Sequence, residues 1–186
     1  PGGRHKCRAV VCGNFAPHDP TAQVWTAQAE TASVMASQRL AALRSWEISK
    51  IDVKGAFMYA PLPQDMHVVV RAPGSWSKLG LVPAGTFWPL RRAVYGLRQS
   101  PKAWGDERDR QFRKLSWQFE GVRHHIVQCV NDTQVWRVIR GDVEEDSSFV
   151  GLVVAYVDDL LLLMPSSGLR IAFNTALRSL WTLSSE

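Results

Sequence analysis

The chain has 186 residues, of which 46% are hydrophobic and 21% are charged. This length and composition are typical of one globular domain, and they exclude a disordered, collagen-like or coiled-coil chain. The formal net charge of +5 favours an anionic partner without requiring one.

The charge is unevenly distributed along the chain. Residues 1–130 contain 18 Lys and Arg against 9 Asp and Glu, whereas residues 131–186 contain 4 against 8. A basic body beside an acidic end suits a site that binds both phosphates and metal ions. The three cysteines, Cys7, Cys12 and Cys129, do not support a disulfide framework, and we predict a reducing, intracellular compartment.

The ends and the most apolar run bear on targeting. The N-terminal PGGRHKCR lacks an apolar stretch, so no signal peptide is predicted. The most apolar run, residues 149–164, is too short for a membrane span and carries two adjacent aspartates. We therefore expect no membrane partner. Because the chain starts with Pro and stops at SSE, we expect it to be a piece of a longer protein.

The first half of the chain predicts strands around one long helix. Residues 5–12 have the composition of a strand, and a polar, proline-containing loop follows them. Residues 27–45 repeat apolar residues at helical spacing. Residues 46–53 alternate apolar and polar residues as a strand does. The other elements predicted in this half are strands at 66–73 and 87–90 with a Gly- and Pro-rich loop at 73–85 between them.

The second half predicts one helix, then mostly strands. Ser100 suits an N-cap and Pro101 the first helical position, so a helix is predicted over 100–117. Its other predicted elements are strands at 126–130 and 133–139 joined by a tight turn at Asn131 and Asp132, an acidic loop at 141–148, strands at 149–156 and 160–164, and a helix at 168–181. Hairpin-connected strands that alternate with helices predict an α+β fold with an antiparallel sheet.

Asp158 and Asp159 are the strongest chemical feature of the sequence. They lie between two apolar strands, so the predicted hairpin carries two carboxylates at its tip. Such a pair is costly among apolar strands unless a cation is bound, although a solvated turn is the ordinary reading because Asp is common in turns. Asp52 also ends a predicted strand. Carboxylates clustered in this way are ligands for Mg²⁺, and two ions can activate a hydroxyl and steady a leaving pyrophosphate.

Three motifs occur in order: DVKGAF at 52–57, AVYGLRQSPKAW at 93–104 and YVDD at 156–159. Together they resemble the reverse transcriptase of copia-type LTR retrotransposons. The segment 6–13, KCRAVVCG, is similar to the fingers segment K-x-R-x-V-x-K-G of that family. The resemblance spans about residues 6–163. YVDD alone is a weak signal, whereas the ordered trio is specific.

The resemblance implies a fold and a division of the chain. It implies a polymerase palm with an antiparallel sheet and packed helices, partial fingers and no thumb. Residues 1–186 would form a single partial domain. Within it, about 1–50 and 64–92 would be fingers-like, and about 51–63 and 93–186 would be palm.

The resemblance also implies catalytic and nucleotide-binding roles. Asp52, Asp158 and Asp159 would be the catalytic carboxylates that bind two Mg²⁺ ions, or Mn²⁺ in their place, and the backbone of Val53 would help to hold a metal ion or the triphosphate. Phe57 would be a steric gate beneath the incoming sugar, since a ring packed against C2′ leaves no room for a 2′-hydroxyl; without the motif it reads as a core aromatic.

Other positions of the motifs would contact the substrates. Arg8 would reach the triphosphate with help from Lys6, because guanidinium geometry suits phosphate; both also read as a solvated strand edge. The remaining implied contacts are Tyr95, Gly96 and Arg98 to the nucleotide, and Arg98, Pro101, Lys102, Tyr156 and Val157 to nucleic acid. For the basic residues further along the helix we favour a solvated, charged face: Arg108, Arg110, Arg113 and Lys114.

This sequence departs from the family pattern at two positions and in its extent. Cys12 stands where the family has Lys before the fingers glycine, and Gly55 where many relatives have Thr or Ser. In the family, YVDD is followed by a segment with the primer grip, thumb and RNase H. The resemblance does not extend to that segment. We therefore expect weak grip on template and primer. Trp104 belongs to the matched motif and is expected to pack beneath the sheet.

Three functions remain in view. The first is an RNA-directed DNA polymerase segment of a copia-type polyprotein that also contains integrase and RNase H. It would use a primed RNA or DNA template and dNTPs in a cytoplasmic virus-like particle or the nucleus. The second is a catalytically inactive remnant with at most non-specific nucleic-acid binding, and the third a different two-metal phosphoryl-transfer enzyme. A zinc site at His124, His125 and Cys129 is not favoured, because no second ligand pair has finger spacing.

Overall fold

A six-stranded antiparallel sheet forms the centre of the structure. The computed structural model describes residues 10–13, 24, 26–142 and 145–184. The strands are β1 (Glu47–Asp52), β2 (Val69–Arg71), β3 (Phe87–Pro89), β4 (Ser116–Phe119), β5 (Val122–Gln128), β6 (Val135–Arg140), β7 (Phe149–Tyr156) and β8 (Asp159–Met164). The large sheet has the order β1-β8-β7-β6-β5-β4, and β2 pairs with β3 separately.

Four α-helices accompany the two sheets. They are α1 (Thr31–Leu43), α2 (Gly74–Lys78), α3 (Ser100–Phe112) and α4 (Ser167–Arg178), and short 3-10 helices lie at Ala56–Tyr59 and Asp146–Ser148. Antiparallel strands with packed helices confirm the mixed α and β class predicted from the sequence. The division into fingers and palm stays a prediction. None of the described helices is long and apolar enough to cross a membrane.

The large sheet is covered on both faces, which explains why β7 and β8 are almost continuously apolar. Alternate side chains of a strand point to opposite faces. Val153, Leu160 and Leu162 pack with the residues of α3 and α4 in the larger core. Leu152 and Leu163 pack on the other face with those of α1. The hairpin that carries the aspartates is therefore anchored on both sides.

The predicted helix over 100–117 is too long. Helix α3 ends at Phe112, and residues 116–119 form β4, which the sequence analysis missed. Trp117 is buried while Ser116 and Gln118 are exposed, which is the period of a strand. A hairpin then follows directly, because Glu120 and Gly121 both have positive φ. Its second strand, β5, begins at 122 rather than at the predicted 126 for that reason.

Three smaller predictions also need correction. The loop predicted at 73–85 contains the short helix α2. The connection at Asn131 and Asp132 is longer than a tight turn, because the Cys129 N–H donates to Val135 O across it. Ser100 does not cap α3, since the N-cap residue is Gln99. The predicted strand at 5–12 lies largely outside the described residues.

Candidate active site

The candidate site lies at the tip of the β7–β8 hairpin. Strand β7 ends at Tyr156 and β8 begins at Asp159, so Val157 and Asp158 form a two-residue loop. This confirms the predicted hairpin with carboxylates at its tip. Tyr156 is exposed at the last position of β7, whereas Leu160 is fully buried just beyond the tip. The tip therefore presents polar groups on a rigid apolar base.

Strand β1 brings the third aspartate to the same tip. Asp52 is the direct cross-strand partner of Asp159, and the N–H of Val53 donates to Asp158 O at 3.0 Å. Directly opposed residues have their Cβ atoms about 5 Å apart on one face of the sheet. The side chain of Val53 is buried and its N–H serves this bond, so Val53 helps to hold β1 against the hairpin.

The segment after α4 completes the anchoring of Asp52. The Asp52 N–H donates to Ser184 Oγ at 3.1 Å, and the Ser184 N–H donates to Asp52 O at 2.8 Å. The Lys54 N–H donates to Thr182 O in the same way. The Thr182 N–H donates to the hydroxyl of Tyr59 at 2.9 Å. Both backbone groups of Asp52 are thus bonded to Ser184, on the side of β1 away from β8.

Lys50 lies beside these carboxylates, and the sequence analysis did not predict it. Its Nζ is 2.8 Å from Asp159 Oδ2, although the side chain is 64% exposed. Lys50 lies two residues before Asp52 and is a diagonal neighbour of Asp159, which is within reach of a long side chain. The hydrogen bond and charge of Asp159 raise the pKa of Lys50, and the charges of Asp52 and Asp158 add to this. The only sequence signal was the i, i+2 spacing from Asp52.

The donor set at the tip fits Mg²⁺ in chemistry but is not a closed ligand cage. Carboxylate oxygens are the ligands that Mg²⁺ prefers, and all three carboxylates act together on the ammonium of Lys50. Within the described ranges, however, no three His, Cys, Asp or Glu side chains form a group that could hold a metal ion. This covers the aspartates and also His124, His125 and Cys129.

We expect Lys50→Met to tighten divalent-ion binding about threefold to tenfold, because it removes a competing cation from Asp159. Isothermal titration calorimetry with Mn²⁺ at low ionic strength measures the affinity. Lys54→Met is the matched control, since Lys54 is also exposed but forms no ion pair with the described residues. Equal affinities for the Lys50 variant and wild type would contradict the competition.

Phe57 and Tyr95 form an aromatic pair near the site. Their ring centroids are 4.8 Å apart, and Phe57 is half-buried on the 3-10 helix that follows Gly55. Gly96, next to Tyr95, has φ of +88°, and a Cβ there would lie 1.9 Å from Val11 O. The segment 10–13 therefore packs directly on this loop, and the Val11 N–H donates to Tyr95 O at 2.8 Å.

Three of the residues predicted to contact nucleic acid lie at the start of α3 and on the loop before it, whereas Tyr156 and Val157 lie at the hairpin tip. Arg98 is exposed, and Pro101 lies in the first turn of α3. Lys102 forms an ion pair with Asp106 one turn along the helix, which partly neutralises it. The hydroxyl of Ser100 accepts from the Val94 N–H at 3.1 Å and thereby holds the loop on the helix. Lys6 and Arg8 lie outside the described residues.

Arg108 contradicts the expectation of a solvated helix face. Its side chain is fully buried, whereas Arg110, Arg113 and Lys114 are exposed as expected. Its guanidinium pairs with Asp109 at 2.8 Å and bonds Gln134. The sequence signal was weak: Arg108 lies four residues after Trp104, on the helix face that packs on the sheet.

Comparison with known proteins gives consistent matches. The family described as "Reverse transcriptase (RNA-dependent DNA polymerase)" matches residues 2–185. The "Retrovirus-related Pol polyprotein from transposon RE1" of Arabidopsis thaliana is 30% identical over 160 residues, which cover 86% of this chain and 10% of that protein. The corresponding polyprotein from transposon RE2 is 28% identical with the same coverage. The chain therefore spans about a tenth of the length of these curated relatives. No solved structure matches.

Proposed function

The chain belongs to the reverse transcriptase (RNA-dependent DNA polymerase) family, as the reverse transcriptase domain of a copia-type element, and from this premise we propose that it joins dNTPs to the 3′-hydroxyl of a primer. The observation that carries the proposal is the pairing of Asp52 with Asp159 at the tip that also carries Asp158. Because the chain belongs to this family, the hypothesis of a different two-metal phosphoryl-transfer enzyme is dropped.

Asp52 and Asp158 would hold two Mg²⁺ ions, or Mn²⁺, with Asp159 as the third acid of the site. When bound, the ions would activate the primer hydroxyl and offset the charge of the leaving pyrophosphate. The contribution of the chain itself is positioning, because backbone bonds hold Asp52 at the end of β1 and Asp158 in the loop beside it. Direct binding of an ion by Oδ2 of Asp159 would require that oxygen to leave Lys50.

The basic and aromatic residues around the tip support roles in substrate binding. Tyr95, Gly96 and Arg98 would lie along the nucleotide, with Lys6 and Arg8 at its triphosphate. Phosphate contacts of this kind position a template and primer without reading sequence. Arg98, Pro101, Lys102, Tyr156 and Val157 would provide the nucleic-acid contacts. In the whole polyprotein, integrase and RNase H would be further partners, in a virus-like particle or the nucleus.

The test is dTMP incorporation on poly(rA)/oligo(dT) by the full chain, with Mg²⁺ or Mn²⁺ and with a chelator. We expect incorporation that depends on the divalent ion and stops on chelation. Primer-template binding without incorporation at any concentration of either ion would instead favour the inactive remnant. The observation that favours this second candidate is the ion pair between Lys50 and Asp159, which occupies one carboxylate oxygen at the tip.

Phe57→Ala is expected to reduce discrimination between deoxynucleotides and ribonucleotides about tenfold to a hundredfold, because the ring would no longer exclude a 2′-hydroxyl. The measurement is the ratio of kcat/KM for dTTP and UTP. Met58→Ala is the control, since Met58 is the exposed neighbour on the same 3-10 helix. An unchanged ratio in the Phe57 variant would assign the ring to the core alone.

A further inference from the structure

The loop at the hairpin tip has an unusual backbone. Val157 is the first of its two residues and has φ of +56°. Two-residue hairpin loops require positive φ there and ordinarily place Gly or Asn at such positions. For a β-branched residue the left-handed region is a genuine outlier, and it persists only where the surroundings hold it. Something outside the loop must therefore hold Val157.

Helix α3 supplies two donors to the carbonyl of this residue. The indole Nε1–H of Trp104 donates to Val157 O at 2.7 Å, and Nη1 of Arg108 donates to the same oxygen at 3.4 Å. Both side chains are fully buried and lie one helical turn apart. The two donors approach Val157 from the face of the sheet that carries α3. Asp159 is on the same side of β8 as Leu161 and Leu163, which is the face that carries α1.

The next carbonyl of the loop is held from a different element. Asp158 O accepts the N–H of Val53 at 3.0 Å. Two successive peptide planes, 157–158 and 158–159, are therefore fixed by α3 and by the end of β1. These two planes fix the backbone of Asp158 and therefore the direction in which its Cα–Cβ bond leaves the loop.

We propose that Trp104 and Arg108 are positioning residues that hold Val157 in its left-handed conformation and thereby aim Asp158 at the proposed metal site. The expected effect on catalysis rests on the proposed function. The expected effect on the conformation of the loop does not depend on it. Asp109 balances the buried charge of Arg108, and the guanidinium also donates to Gln134 Oε1. These two partners keep the guanidinium in place beneath the loop.

The test is Trp104→Phe, which keeps an aromatic ring but removes the donor. The matched control is Trp136→Phe, because Trp136 is also fully buried and its Nε1 has no hydrogen-bond partner among the described residues. The readouts are amide hydrogen exchange of the segment 156–160 and the kinetics of Mg²⁺-dependent dTMP incorporation. Thermal melting of each variant reports the loss of packing.

We expect Trp104→Phe to accelerate exchange at 156–160 about tenfold and to lower kcat about tenfold to a hundredfold, with the KM for primer-template unchanged within twofold. Trp136→Phe should leave both readouts near wild type at a comparable loss of melting temperature. Where Trp104→Phe does not fold, Arg108→Lys, which keeps the charge but shortens the reach, is expected to change the same readouts in the same direction.

Equal changes in the Trp104 and Trp136 variants would overturn the inference, because packing alone would then account for them. The two proposals fail separately. A wild-type chain with no incorporation would refute the proposed function, while the exchange comparison would still decide whether the two side chains hold the loop.

Discussion

Asp158→Asn is expected to lower dTMP incorporation by at least about a thousandfold. The substitution preserves the size of the side chain but removes the negative charge and one of the anionic oxygens that a divalent ion prefers. Asp158 is part of the two-residue loop and makes its backbone bond to Val53 through its carbonyl. Folding should therefore be retained, and the melting temperature should stay close to that of the wild type.

The control for this variant is Asp142→Asn. Asp142 is exposed and pairs with Arg123 beyond the end of β6, at the end of the sheet opposite the hairpin tip. Asp52→Asn should abolish activity to the same extent, and the double variant with Asp158→Asn should be no worse than either alone, because groups that act as a unit are not additive. Retention of more than about a tenth of the activity in Asp158→Asn would argue against a metal-binding role.

Arg108→Met is expected to reduce the free energy of unfolding by about 3–5 kcal/mol, which is typical when one partner of a buried ion pair is removed. Asp109 would lose its cation, and Gln134 and the carbonyl of Val157 would each lose a donor. For a chain of this size the melting temperature should fall by roughly 6–20 °C. Denaturant unfolding followed by circular dichroism measures the difference.

Arg110→Met is the matched control on the same helix. Arg110 also has a carboxylate partner, Glu107, at 2.7 Å, but its side chain is 52% exposed. Glu107 is buried, but it keeps the hydrogen bond from Gln111 when Arg110 is removed. We therefore expect a loss of about 1–2 kcal/mol and a smaller fall in the melting temperature than for Arg108→Met. Losses of equal size in the two variants would mean that burial of Arg108 is not what makes its ion pair important.

Sequence patterns of short range were sufficient for much of the fold. The near-continuous apolar runs on either side of Asp158 predicted β7 and β8, and the alternation at 46–53 predicted β1. The end of α3 was not predicted, because Leu115 and Trp117 suit a helical stripe as well as a strand. Pairing of Trp117 with His124 across β4 and β5 decides between them, and that pairing depends on the Glu120–Gly121 turn.

Local patterns were enough to place the aspartates at the ends of the apolar strands, and the ordered motifs identified the family. The positions of Asp52 opposite Asp159, of Lys50 beside Asp159 and of Arg108 beneath Val157 became visible only in the folded chain. The difference lies in the distance along the chain between the residues that make contact. Strand period and turn chemistry are set by neighbours, whereas register and burial arise from contacts between residues some fifty to a hundred positions apart, which local patterns do not encode.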